Sequence, residues 1–150
     1  MLADIQHAVV QHLRTQADTA PDSDDSVLVP ASVKPYGGEM HDVHRLAKLC
    51  PVIFVEFDSA QLEVLTMGGT GLSGTETVHV ICCALNQASG QATATDGVRL
   101  LSWAAQAMGG LDVQVDGAPV GLERMGVQRL LSGERVWAAA LTAQLDVGGY

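Results

Sequence analysis

The sequence predicts an α+β fold: a two-layer sandwich with two helices on one face of a four-stranded, mostly antiparallel sheet. Three observations predict it. Apolar residues recur first with helical and then with extended spacing, in the order helix, hairpin, helix, hairpin. The apolar run Val52–Phe57 is typical of a central strand that is covered on both faces. Residues 136–145 are apolar on both alternating faces, which predicts a second strand of that kind.

The first predicted helix lies at the start of the sequence and has about four turns. Its apolar residues are spaced by three, four and four positions, so they form one stripe: Leu2, Ile5, Val9 and Leu13. An acidic loop follows, and Pro21 helps to end the helix. Val27–Val29 is predicted to be a short extended piece, Pro35–Glu39 a turn, and His41–Leu49 a short helix.

The first predicted hairpin pairs Val52–Phe57 with Thr75–Leu85, a stretch rich in β-branched residues. The connection Asp58–Gly74 is long, and three apolar residues partly alternate along it: Leu62, Val64 and Met67. We therefore expect this connection to form an extended hairpin arm.

The second predicted helix spans Thr93–Met108 and ends at the two glycines that follow it. The closing hairpin pairs Val120–Leu131 with Glu134–Leu145 through a tight turn at Ser132 and Gly133. One face of its last strand carries five apolar residues: Trp137, Ala139, Leu141, Ala143 and Leu145. If the helices cover one face of the sheet, the apolar residues of the other face need a cover, and a neighbouring subunit is the simplest one.

Composition indicates one domain, residues 1–150, with a well-filled aliphatic core, since 47% of the residues are hydrophobic and only 4% aromatic. Eight basic residues against seventeen acidic ones give a formal net charge of −9. This balance disfavours nucleic-acid binding through a basic face. No apolar run approaches the ~20 residues of a membrane span, and the first residues lack the basic start of a signal peptide. We therefore expect the protein to be made and used in a cytosol, without membrane contact.

A glycine-rich stretch, 68–74, contains a formal match to the dinucleotide fingerprint at Gly69, Gly71 and Gly74. That fingerprint binds a pyrophosphate only where a helix follows the glycines. Here the alternating, β-branched residues 75–83 predict a strand instead. A flexible surface arm is the favoured interpretation, and a nucleotide-binding enzyme is retained as an alternative.

Other candidate sites have weaker patterns. His41 and His44 lie near Glu39 and Asp42, but no third metal ligand follows from their spacing, so a polar helix face is favoured over a metal site. Ser73 lacks the glycine and the strand-to-helix context of a nucleophile elbow. The three cysteines, at positions 50, 82 and 83, have no zinc spacing and are expected to be buried, reduced thiols. The sequence therefore predicts no enzyme, cofactor or metal.

A resemblance to a known group begins at Tyr36-Gly37-Gly38-Glu39 and continues in Leu49-Cys50-Pro51-Val52-Ile53-Phe54-Val55. There the chain resembles small proteins of Mu-like phages and prophages that are assigned to a domain of unknown function. The resemblance runs over nearly the whole chain, from the amphipathic first helix to the closing hairpin. The glycine arm and the acidic loop are departures from the pattern.

The resemblance implies a morphogenesis protein of a contractile tail that is similar to tail terminators. Those proteins form a ring, typically of six subunits, that caps the tail tube and offers a docking surface to the head. The implied partners are further copies of the chain, the tail tube and head-completion proteins. The implied location is the virion tail, after assembly in the host cytoplasm. A head–tail connector or a minor tail protein of the same fold is the alternative role.

The expected ring interface lies on the glycine arm and on the sheet face that bears Trp137. Its candidate residues are Leu62, Val64, Met67, Gly69, Gly71, Trp137, Ala139 and Leu141. A ring requires a heterologous interface whose rotation closes. An acidic lumen would let DNA pass without binding it, and the net charge agrees with such a passage.

Overall fold

A six-stranded, curled, mixed sheet forms the centre of the molecule, seen here in a computed structural model that describes residues 2–21, 26–64, 72–85, 91–132 and 135–148. The strands are β1 (Ser32–Pro35), β2 (Val52–Val64), β3 (Leu72–Leu85), β4 (Asp112–Val115), β5 (Ala118–Ser132) and β6 (Val136–Val147). Their order across the sheet is β1-β2-β3-β6-β5-β4. β1 runs parallel to β2, and every other neighbouring pair is antiparallel.

The described ranges also contain three α-helices: α1 (Leu2–Thr19), α2 (Val43–Leu49) and α3 (Gln91–Gly109). A single 3-10 turn, Glu39–His41, precedes α2. α1 and α3 pack on one face of the sheet, which we call the helix face, and form the larger apolar core there. α2 packs on the opposite face, where Leu46 contacts a smaller core that contains Phe54. Because apolar residues alternate to both faces of β2, β3 and β6, each face needs a cover of this kind.

The stripe predicted for the first helix is confirmed, since Ile5, Val9 and Leu13 are fully buried on the helix face. Both predicted hairpins are present as β2–β3 and β5–β6. The arm expected beyond Phe57 is also strand, because β2 continues to Val64 and pairs with β3 along its whole length. The predicted turn at Ser132 and Gly133 lies partly outside the described residues.

The predicted four-stranded two-layer sandwich is wrong, because the sheet has six strands and one parallel pair. β1 falls in a stretch to which the sequence assigns no element, just before the turn predicted at Pro35–Glu39. β4 falls in 109–121, where Asp112, Asp116 and the glycines of the sequence predict turns and no strand. The Asp116-Gly117 turn in that segment, with φ angles of 53° and 79°, joins β4 and β5 as a tight hairpin.

Two further differences concern the helices and the first extended piece. The sandwich placed its helices on one face, whereas α2 covers the other. Val27–Val29 does not join the sheet. Arg99 of α3 holds this piece instead, since its Nη2 donates to the carbonyl of Val27 at 3.0 Å and its own carbonyl accepts from the Leu28 N–H at 3.2 Å.

Candidate oligomer interface

The sheet face that bears Trp137 is covered by the chain's own helix α3. A Cβ added to Gly97 of α3 would lie 2.2 Å from the Trp137 ring, so helix and indole are in direct contact. Ala139 and Leu141 are both 1% exposed. Ala139 and Leu141 therefore pack inside the chain, and Trp137 is half-buried against α3.

The outer half of β2 presents the remaining expected residues that the structure describes. Leu62 is half-buried, whereas the Val64 side chain is 64% exposed. Both lie on the helix face of the sheet, beyond the reach of the main core. Met67, Gly69 and Gly71 lie outside the described residues. Of the predicted interface, the structure thus places Leu62 and Val64 at the surface.

The strand context of Gly74 contradicts the dinucleotide fingerprint. Gly74 lies within β3, opposite Leu62 of β2, and no helix follows it. A Cβ at this position would come within 1.9 Å of the Gln61 carbonyl oxygen, so glycine is required by the close approach of two strands. The adjoining cleft of about 620 Å³ is lined by three acidic residues, Glu63, Glu123 and Asp146, which would repel phosphate.

The polar residues considered for metal binding make local structural contacts. Glu39 accepts a hydrogen bond from the Gly37 N–H at 2.7 Å, and Asp42 caps α2 by accepting from the Arg45 N–H at 3.1 Å. The Nδ1 atom of His44, on α2, accepts a hydrogen bond from Nη1 of Arg135 at 2.7 Å. Within the described residues, no group of three or more side chains is placed to ligate a metal ion.

The three cysteines are free thiols. Cys82 and Cys83 are buried on opposite faces of β3, and Cys50 is half-buried at the end of α2. Burial raises the pKa of Cys50 to about 11 and that of Cys83 to about 12, and it also raises the pKa of Cys82. Since the thiolate is the reactive form, the raised pKa values disfavour reaction of these thiols near neutral pH.

Two features of β3, the buried Glu76 and the carboxylates beside His79, were not predicted from the sequence. Glu76 is fully buried on the helix face, and neither carboxylate oxygen has a hydrogen-bond partner within the described part of the chain. Burial raises the pKa of Glu76 to about 7. On the opposite face, His79 lies between two carboxylates, 3.8 Å from Glu56 and 3.9 Å from Asp58. The signal for Glu76 was present, because position 76 alternates in step with the buried Val78 and Val80.

Within the described residues, the long strands β2 and β5 each have an outer edge that a short strand covers only in part, and the two uncovered stretches lie at diagonally opposite corners of the sheet. β1 covers β2 only from Val52 to Val55, so the outer edge of β2 is unpaired from 57 to 64. β4 covers β5 only from Ala118 to Gly121, so the outer edge of β5 is unpaired from 122 to 132. Such edges present free backbone N–H and C=O groups to another chain.

Comparisons with known proteins bear on the fold. No known protein family matches the chain, and no curated protein matches it. Among solved structures, the chain is similar to one in the "Virion of native gene transfer agent (GTA) particle", with a TM-score of 0.50 and 20% sequence identity. The similarity covers 97% of this chain and 95% of the other. At this identity the likeness shows a shared fold. No helix in the described ranges is long and apolar enough to cross a membrane.

Proposed function

We propose that the chain is a structural protein of a phage-like virion and acts as a tail terminator. In this role, about six copies close into a ring that caps the tail tube and receives the head. The observation that carries the proposal is the fold likeness to a chain of a gene transfer agent virion, which extends over almost the full length of both chains. The resemblance to small proteins of Mu-like phages, drawn from the sequence, points to the same class.

The surface chemistry supports a structural role over a catalytic one. The cleft beside Gly74 is acidic, and the thiols are buried or half-buried with raised pKa values. The net charge of −9 suits a lumen through which DNA passes without binding. Partners of the ring are then the tail tube and head-completion proteins. Its location is the virion tail, reached from the host cytoplasm during assembly.

Tail length tests the terminator role directly. Particles assembled without this chain should have overlong tail tubes, because nothing stops tube polymerisation. Tails of ordinary length that fail to join heads would contradict termination and favour the alternative, a head–tail connector. Supplying the chain in trans is the control, and it should restore the normal length distribution in electron micrographs.

A further inference from the structure

We propose that copies of this chain join head to tail through a continuous β-sheet, in which the open edge of β5 in one copy pairs with the open edge of β2 in the next. This inference rests on the proposed function, since it names the contact by which copies in a ring hold together. It replaces the Trp137 face, which α3 already covers, with two edges that the chain leaves unpaired.

Both edges have unsatisfied backbone capacity. From 57 to 64 and from 122 to 132, the described residues make backbone hydrogen bonds only to the strand on their inner side. The side chains there are also exposed, with Val64 at 64% and Val127 at 63%. Long, exposed edges of this kind are templates for pairing with another chain.

The two edges match in length. Register shifts interrupt β2 between Phe57 and Ser59, and β5 on either side of the segment Arg124–Arg129. The regular segments that remain are Ser59–Val64 and Arg124–Arg129, each of six consecutive paired positions. Six residues is an ordinary strand length, so these two segments can pair with each other without a β-bulge.

Charge distinguishes the two edges. The regular segment of β2, Ser59–Val64, carries Glu63 and no basic residue. The regular segment of β5 carries Arg124 and Arg129 and no acidic residue. Opposite charges across a strand pair stabilise it, and like charges destabilise it. Pairing of β2 with β5 is therefore favoured over pairing of either edge with its own copy, so the contact is heterologous and builds a ring or a filament.

Strand direction also fits. β2, β3, β6 and β5 alternate in direction across the sheet, so β5 runs antiparallel to β2. A second copy that lies beside β5 with its strands in the same direction, shifted along them, brings its β2 antiparallel to β5 of the first. The helix faces of both copies then lie on the same side of one extended sheet.

Side-chain alternation limits the register, because residues opposite each other must point to the same face. Leu62, opposite Gly74, and Met125, opposite Ala143, both lie on the helix face, whereas Glu63 and Arg124 lie on the other. A register that places Glu63 opposite Arg124 also places Leu62 opposite Met125. In this register the contact runs from Ser59 opposite Gln128 to Glu63 opposite Arg124. β4 covers β5 only up to Gly121 and β1 covers β2 only up to Val55, so neither capping strand lies within the paired stretch.

Cysteine pairing tests the contact. In this register Gln61 lies opposite Gly126, where a Cβ would meet nothing within 4 Å of the chain. We would mix the single variants Gln61→Cys and Gly126→Cys and oxidise them mildly with diamide. The expected product is a disulfide heterodimer that forms only in the mixture, with at least a tenfold excess over either variant alone. Gln11→Cys, on the exposed side of α1, replaces Gln61→Cys in the control mixture and should give no heterodimer.

A charge exchange tests the same contact without covalent chemistry. Glu63→Arg and Arg124→Glu should each lower the mass measured by light scattering, and the double variant should recover it. Homodimers of a single cysteine variant, or no rescue in the double variant, would overturn the edge contact. Wild-type assemblies of ring mass without the heterodimer would refute this inference and leave the proposed function intact. A wild-type chain that stays monomeric and binds no tail tubes would refute both.

Discussion

At the scale of single residues, two positions show how tightly the helix face is packed. Gly97 leaves room for the Trp137 ring beneath α3, and Glu76 is a carboxyl group buried in the apolar layer of β3. The first is a steric requirement and the second an electrostatic one. For each position we therefore predict a mutational effect that differs from the usual effect of replacing glycine in a helix or glutamate on a strand.

Gly97→Ala should destabilise the protein, although alanine is the better helix former. The added methyl group would lie 2.2 Å from the Trp137 ring, and the overpacking should cost about 1–3 kcal/mol. The helix propensity gained, about 1 kcal/mol, does not offset that clash. The matched control is Gly109→Ala at the end of α3, where a Cβ meets nothing within 4 Å. Urea unfolding should rank the three proteins as control, wild type, then Gly97→Ala; equal midpoints would refute the contact.

Glu76→Gln should remove a pH dependence of stability. The pKa of Glu76 is raised from 4.5 to about 7 by burial, so the folded state holds this proton more tightly than the unfolded state. The contribution of Glu76 to the free energy of unfolding is therefore complete below pH 4.5. It is lost as the pH rises towards 7, and it does not change further above that pH. The total loss is about 3 kcal/mol, at 1.36 kcal/mol for each pKa unit.

The test of Glu76 compares free energies of unfolding at pH 5 and pH 8. The wild type should lose more stability between these values than Glu76→Gln does. Glu123→Gln, at an exposed position of β5, is the control and should behave as the wild type. The same slope in wild type and Glu76→Gln would show that the carboxylate is solvated.

At the scale of elements, the sequence predicts helices and strands whose pattern lies within one segment. It does not predict strands that form only by pairing with a segment distant in the chain. The stripe of α1 and the alternation of β3 are properties of one segment. β1 has four residues and no alternation, and it becomes a strand only because Val52–Val55 offers it a parallel partner. β4 was within reach, since Asp116-Gly117 between short apolar stretches is a hairpin signal.

The candidate interface was harder to predict than the strands that form it. An open edge is defined by where the neighbouring strand stops, which depends on β1 and β4. The sequence did single out Leu62 and Val64, because an alternating arm beyond a buried strand implies exposure. The apolar face of Trp137 suggested a partner subunit, since nothing in the sequence shows that α3 lies over it.

The β2–β3 arm should depend on Gly74. Gly74→Ala would force the strands apart at Leu62, because the new Cβ would approach the Gln61 carbonyl oxygen to 1.9 Å. We expect faster amide hydrogen exchange in 59–64, by at least tenfold, with little change in β6. Gly121→Ala is the matched control on a nearby strand, where the added Cβ meets nothing within 4 Å. Unchanged exchange in Gly74→Ala would show that the arm does not need this close approach.

At the scale of the whole molecule, the chain's own helices cover both faces of the central part of the sheet, and the outer halves of β2 and β5 remain exposed. The acidic end of β2 and the basic segment of β5 make one copy complementary to the next. A ring built this way keeps α1 and α3 of every copy on one side of the sheet and α2 on the other. This arrangement is consistent with a protein that ends a tail tube and lets DNA through.

The mass of the protein in solution tests this account most directly. Light scattering over a wide concentration range should give one closed assembly, about six times the 15.7 kDa of a single chain, with a mass that no longer grows once the ring is complete. A mass of 15.7 kDa at every concentration, with no binding to tail tubes, would contradict it.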